Sequence, residues 1–263
     1  MSGMSGPTRF ASPLSGRSIV ITGASGGIGQ AVAIACAGRG MKVVLCGRDE
    51  RRLEAVGRKI LSSGGECATI RGDIRNRGEI DALVRHCLDK YGRIDAALIN
   101  AGIGSALGLE HAADADIVAA IETNLLGAMR CLNALLPIMR RQKSGHILVV
   151  GSVTATLPWP DDAIYSTTKA ALRHLAQRVR REARGSGILI TEVVPGVIDT
   201  PLSAGLKNFP KASAATVASD IVRCLERPVP TLVTPASYKR LLLAHRVAPA
   251  AVEAWIRRKS MGY

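Results

Sequence analysis

SIVITGASGGIG, residues Ser18–Gly29, runs from an apolar β-branched segment through a glycine-rich turn into a helical pattern. Ile19, Val20, Ile21 and Thr22 suit a pleated, buried strand. Gly23 is able to make a tight turn, and the later glycines let backbone N–H groups approach an anion closely. A helix over Gly27–Arg39 would add the positive end of its dipole. The spacing is Gly-x3-Gly-x-Gly rather than the more familiar G-x-G-x-x-G. Such a turn is informative when it lies between a strand and a helix, as this one does.

Outward from this stretch, short β-rich runs alternate with longer helical patterns. KVVLC (Lys42–Cys46) is a second strand, after which Asp49 opens the charged helix DERRLEAVGRKI as its cap. Further strands are read near Glu66–Arg71, Ala96–Asn100, His146–Val150, Leu189–Val194 and Thr231–Thr234, with a helix over Glu79–Tyr91 and long helices before the fifth and sixth strands. Strands separated by helical crossovers imply a parallel sheet covered on both faces. The expected fold class is therefore α/β, a doubly wound (Rossmann-type) parallel sheet in one domain over 16–263. Its ligand is expected at the carboxyl ends of the strands.

Composition agrees. The hydrophobic fraction of 47% belongs to a folded chain, and the aromatic fraction of 3% leaves the core to Val, Ile, Leu and Ala, as in a sheet buried on both sides. The net charge is +14, but the basic residues are scattered and interleaved with few aromatics, so no nucleic-acid partner is expected. Six cysteines show neither CxxC nor zinc spacing; reduced thiols, no metal site and a cytoplasmic location are expected. Residues 1–15 have no apolar stretch and read as a flexible leader rather than a secretory signal.

Downstream motifs complete the pattern. Asn100-Ala101-Gly102 follows the fourth strand, Asn124 lies in the next helical region, and Ser152 stands thirteen residues before Tyr165 in Tyr165-Ser166-Thr167-Thr168-Lys169. Pro195-Gly196 and Thr200-Pro201 follow the sixth strand. Together with TGxxxGxG these motifs, in this order, resemble the short-chain dehydrogenase/reductase family from about Ser18 to Leu202. The resemblance implies an oxidoreductase that interconverts a carbonyl and an alcohol with a nicotinamide cofactor. It places Gly23, Ser25, Gly27, Ile28 and Gly29 of the turn on the cofactor, Asp73 at the adenine, and Ile74, Asn100, Ala101, Gly102, Tyr165 and Lys169 among the further cofactor contacts. It also places Pro195, Gly196, Ile198 and Thr200 at the nicotinamide carboxamide, and a homodimer or homotetramer built on helices near Asp116–Met139 and Ala163–Arg184.

Two readings concern chemistry. By resemblance, Gly47 stands where members that prefer NAD carry Asp, and Arg48 beside it offers a planar fork suited to a phosphate. NADP(H) is therefore expected over NAD(H). Tyr165 and Lys169, four apart, share one face of a helix. A neighbouring ammonium favours the phenolate, which equips a tyrosine to exchange protons near neutral pH. The resemblance assigns Ser152 to the substrate oxygen, Lys169 also to the nicotinamide ribose, and Asn124 to a proton relay through water. The alternative reading, a cofactor-sensing protein, would be expected to lose Tyr165 or Lys169, and both are present.

Leu202–Ser213 is the expected substrate lid, with Leu202, Leu206, Phe209, Leu157 and Trp159 as candidates for an apolar pocket and a hydrophobic substrate. The tail 236–263 reads as two basic helices broken near Pro249. Its apolar stripes are expected to pack within the protein or against another subunit; contact with an anionic membrane is the less favoured alternative.

Overall fold

The computed structural model describes residues 12–104, 108–157, 159, 163–203 and 209–260. Seven strands form one parallel sheet in the order β3-β2-β1-β4-β5-β6-β7. They are β1 (Ser18–Thr22), β2 (Lys42–Gly47), β3 (Glu66–Arg71), β4 (Ala96–Ile99), β5 (Gly145–Val150), β6 (Ile188–Pro195) and β7 (Thr231–Thr234). The order reverses between β1 and β4, which opens a crevice at their carboxyl ends.

Helices α1 (Gly27–Ala37), α2 (Glu50–Ser62) and α7 (Ala214–Glu226) cover one face through Val32, Leu53, Ile60, Val217 and Ile221. On the other face lie α3 (Arg77–Tyr91), α5 (Ala128–Gln142) and α6 (Ala163–Glu182), burying Leu83, Leu132, Met139, Leu172 and Val179. Aliphatic side chains build both layers, as the scarcity of aromatics requires. The helix α4 (Asp114–Ala120) runs through a π-helical turn, Ile121–Gly127, into α5. The described cysteines, Cys36, Cys46, Cys67, Cys87, Cys131 and Cys224, are all buried with free thiols.

Local chemistry sets the element ends. Asp49 caps α2 by accepting the Arg52 N–H at 3.0 Å, and Asn76 caps α3 through Gly78 N–H, which starts that helix two residues before the periodicity suggests. β4 stops at Ile99 because Asn100 turns its side chain back to β1, where Nδ2 donates to the Thr22 and Gly23 carbonyls.

Beyond the sheet, α8 (Ser237–Val247) and α9 (Pro249–Ser260) form the tail, with Pro249 as the first residue of α9. Val252 and Ile256 of α9 join Val153, Leu157, Trp159, Val194, Val197 and Phe209 in a third, smaller apolar cluster. Tyr238, Leu241 and Leu242 of α8 pack against it. No described helix is long and apolar enough to cross a membrane.

Candidate active site

A cleft of about 680 Å³ lies along the carboxyl ends of β1, β2 and β4. Its floor is the turn from β1 to α1. Gly23 adopts φ +66, and a Cβ on Gly29 would stand 2.2 Å from the Gly23 carbonyl oxygen, so neither position admits another residue without movement. Gly26 caps α1 with no side-chain bond, and the first turn carries no acid. The N–H groups at this helix end are thus left facing the cleft, an arrangement that fits a pyrophosphate. Ser25, Gly27, Ile28, Ala101 and Gly102 line the same space.

At one end the cleft is bounded by Gly47, Arg48, Asp49 and Arg52. Arg52 escapes a sequence reading centred on the strand end, yet stands four residues after Arg48 in the first turn of α2. It is held 3.3 Å from the Asp49 carboxylate that caps its own helix. A side chain at Gly47 would meet Ser25 Oγ at 3.3 Å, so glycine keeps this corner open. Asp73 and Ile74 form the adjoining wall. The Asp73 carboxylate accepts the Arg75 N–H at 2.9 Å and its guanidinium at 2.7 and 2.9 Å. Burial raises its pKa, but the bonds and charge of Arg75 outweigh that and hold it below the ordinary value.

Toward the other end, Gly102 links the cleft to the polar cluster. A Cβ there would stand 3.1 Å from Asn124 Oδ1 and 3.6 Å from Lys169 Nζ. Lys169 is buried and donates to the Val150 carbonyl at 2.8 Å. Burial pulls its ammonium down to about 8. Its Nζ lies 5.4 Å from the Tyr165 ring centroid, as one-turn spacing on α6 requires. Ser152 follows β5, and its Oγ accepts both the Thr154 N–H at 3.1 Å and the Thr154 hydroxyl at 3.0 Å. With both lone pairs used, its own proton is what Ser152 has to offer. Thr154 was legible only as an S-x-T spacing, which alone signals no site.

Asn124 sits in the π-helical turn, 1% exposed. Its Oδ1 accepts the Ile103 N–H at 2.8 Å, and Nδ2 donates to the Ile103 carbonyl and to Thr168 Oγ1. Both amide hydrogens are therefore committed to joining the β4 loop and α6. Asn100 is likewise committed to β1, where its own N–H donates to Thr22 Oγ1.

The loop after β6 closes this end. Thr200 lines the cleft with Leu202, which is 53% exposed, while Pro195 and Ile198 are buried behind it. Gly196 is pinned from outside: a Cβ would stand 2.1 Å from Tyr238 Cε2, and Tyr238 Oη accepts the Val197 N–H at 3.2 Å. Sequence reasoning gave Tyr238 only a place on a helical stripe. Leu157, Trp159 and Phe209 are brought together, with the Trp159 and Phe209 ring centroids 4.4 Å apart; Leu206 lies outside the described residues. Arg173, one turn beyond Lys169, contacts the buried Glu192 carboxylate at 3.8 Å and bonds Thr156, so it ties α6 to the Ser152 loop.

Comparison with known proteins agrees with this geometry. The sequence model of the short chain dehydrogenase family matches residues 17–211. The chain is 36% identical over 192 residues to a 3-oxoacyl-[acyl-carrier-protein] reductase of Synechocystis, covering 73% of this chain and 78% of that protein. It is 31% identical to an uncharacterized oxidoreductase of Staphylococcus epidermidis, covering 80% and 90% respectively. An alcohol dehydrogenase of Thermococcus sibiricus, solved with 5-hydroxy-NADP, superposes with a TM-score of 0.76 at 29% identity, covering 82% of this chain and 95% of that one. A glycine cradle at the strand switch, Tyr165 and Lys169 paired on α6 and these relationships converge: the chain belongs to the short-chain dehydrogenase family of nicotinamide-dependent oxidoreductases.

Proposed function

We propose that this protein interconverts a carbonyl and a secondary or primary alcohol using NADP(H), with Tyr165 as the acid and base. The observation that carries the reading is the pairing of Tyr165 with Lys169, whose ammonium is bonded to Val150 two residues before Ser152 and lies beside Gly102 of a cleft whose far corner holds two arginines. Arg48 and Arg52 would hold a 2′-phosphate, the α1 N-terminus the pyrophosphate, and Thr200 and Lys169 the nicotinamide half. When bound, the nicotinamide supplies or accepts the hydride.

The residues of the chain manage the oxygen and its proton. Ser152, its acceptor sites filled by Thr154, directs its O–H at the substrate oxygen and fixes that oxygen near the phenol. In the reducing direction Tyr165 gives its proton to the oxygen as negative charge develops there; in the oxidising direction it takes the proton back. The Lys169 ammonium stabilises the phenolate so formed, and with a pKa of about 8 it remains mostly charged at neutral pH. Asn124 preserves the shape of this end by locking Ile103 and Thr168. Leu202, which lines the cleft and is exposed, offers an apolar side chain at this end and favours a hydrophobic carbonyl compound.

The test follows NADPH absorbance with a panel of ketones, aldehydes, quinones and 3-oxoacyl thioesters, on the wild type and on Tyr165→Phe. Turnover of at least one class is expected, lost in the variant while NADPH still binds. Near wild-type turnover by Tyr165→Phe would overturn the assignment of the proton donor.

A further inference from the structure

Expectation set packing of the tail within the protein or against another subunit above membrane contact; α8 itself carries two distinct faces. At about 100° per residue, Tyr238, Leu241, Leu242 and His245 share one arc of the helix. That arc faces the protein: the first three pack on the third apolar cluster, and His245 lies 3.6 Å from Glu253 of α9. Lys239, Arg240, Leu243, Arg246 and Val247 share the opposite arc, and all five are exposed. Leu243 is 63% and Val247 78% exposed. On α9, Trp255 is 44% exposed, and Arg257, Arg258 and Lys259 are exposed in succession. The only acid on either helix is Glu253, the one beside His245.

A solvated face needs no large aliphatic side chains between its cations. A face for nucleic acid would pair its cations with stacking aromatics, and α8 offers Leu and Val instead. Cations flanking exposed aliphatic residues, with an aromatic residue near the other helix end, is the composition of a helix that lies in the boundary layer of an anionic bilayer. We infer that the outer face of α8 and α9 docks the protein on anionic lipid surfaces. The inner face of the same helices packs on the cluster of Leu157, Trp159 and Phe209, so docking by the outer face leaves those internal contacts in place. The inference is independent of the catalytic reading, since none of the docking residues belongs to the cleft.

The experiment is co-sedimentation of the full chain with vesicles of phosphatidylcholine containing phosphatidylglycerol, with vesicles of phosphatidylcholine alone, and with short duplex DNA as a soluble polyanion. The protein is expected to pellet with the anionic vesicles only, and less so as salt is raised. Each basic side chain near such a surface is worth about fivefold in partitioning, so Lys239→Gln/Arg240→Gln/Arg246→Gln should weaken binding about a hundredfold. Leu243→Ser/Val247→Ser should weaken it without altering salt sensitivity. Both variants change only exposed positions, so circular dichroism and cofactor binding should match the wild type. Failure to pellet, equal pelleting with neutral vesicles, or an unchanged affinity in the charge variant would each overturn the proposal. So would binding to DNA but not to vesicles, or loss of a dimer in either variant, which would make this face a contact between copies.

Discussion

Acidification should destabilise this fold through a single buried imidazole. His146 lies on β5, 6% exposed, and its Nε2 is 2.9 Å from Thr191 Oγ1. That hydroxyl gives its own proton to the Val229 carbonyl at 2.6 Å, so it receives the Nε2 proton of a neutral ring. Nδ1 is buried with no hydrogen-bond partner among the described residues. Protonation would place a charge and an unpaired N–H there, and burial accordingly pulls the imidazole from 6.5 to about 4. Above pH 6.5 both folded and unfolded chains are neutral at this position, and stability is unaffected. As pH falls from 6.5 toward 4, only the unfolded chain takes up the proton, so folding loses free energy across that window. At 1.36 kcal/mol per pH unit the full loss is about 3 kcal/mol, most of it reached by about pH 4.5. Urea unfolding of wild type and His146→Gln at neutral and acidic pH isolates the effect, since glutamine retains a donor for Thr191. The buried Glu192 carboxyl, raised by desolvation, contributes with the opposite sign, equally in both chains. If the two proteins lose the same stability on acidification, the imidazole is not the cause and the reasoning fails.

Arg48→Ala and Arg52→Ala should each cost about 1.5–3 kcal/mol of NADPH affinity with little effect on NADH; titration of both cofactors checks this, and equal weakening would refute a 2′-phosphate site. Gly196→Ala should destabilise by about 1–3 kcal/mol, because its Cβ meets the Tyr238 ring at 2.1 Å. Pairing it with Tyr238→Ala in a double-mutant cycle should recover part of that loss, and strict additivity would show the contact to be unimportant. Val118, Ile121 and Met129, each at least 40% exposed near α4 and α5, suit a subunit contact. Sedimentation at micromolar concentration is expected to give a dimer or larger, and a monomer would contradict it.

What the sequence made legible is what is local. Ser18–Gly29 announces a strand, a turn and a helix because each requirement, β-branched residues, glycines and helical spacing, falls on consecutive residues. Tyr165 and Lys169 are legible because one helical turn brings them together whatever surrounds them. The catalytic-end details were not legible because they depend on neighbours distant in the chain. Asn124 bonds Ile103 and Thr168, 21 and 44 residues away, and only the folded π-helical turn shows that its amide is spent. Tyr238 reaches Val197 across 41 residues, from a tail with no motif to mark it. Arg52 looked like one more charge on a charged helix, and becomes interesting only because α2 starts at the mouth of the cleft.

The burial of the cysteines has a practical consequence. Desolvation pushes the thiols of Cys36, Cys46, Cys87 and Cys131 up to about 12 and raises that of Cys67, so they rarely form the thiolate that alkylating reagents attack. Cys224 is buried as well, out of reach of a reagent in the folded chain, so the native protein is a quiet background for maleimide chemistry. A Leu243→Cys substitution on α8 would supply one accessible handle for an environment-sensitive fluorophore. Its emission would report how deeply that helix enters a lipid surface, with no native cysteine having to be removed first.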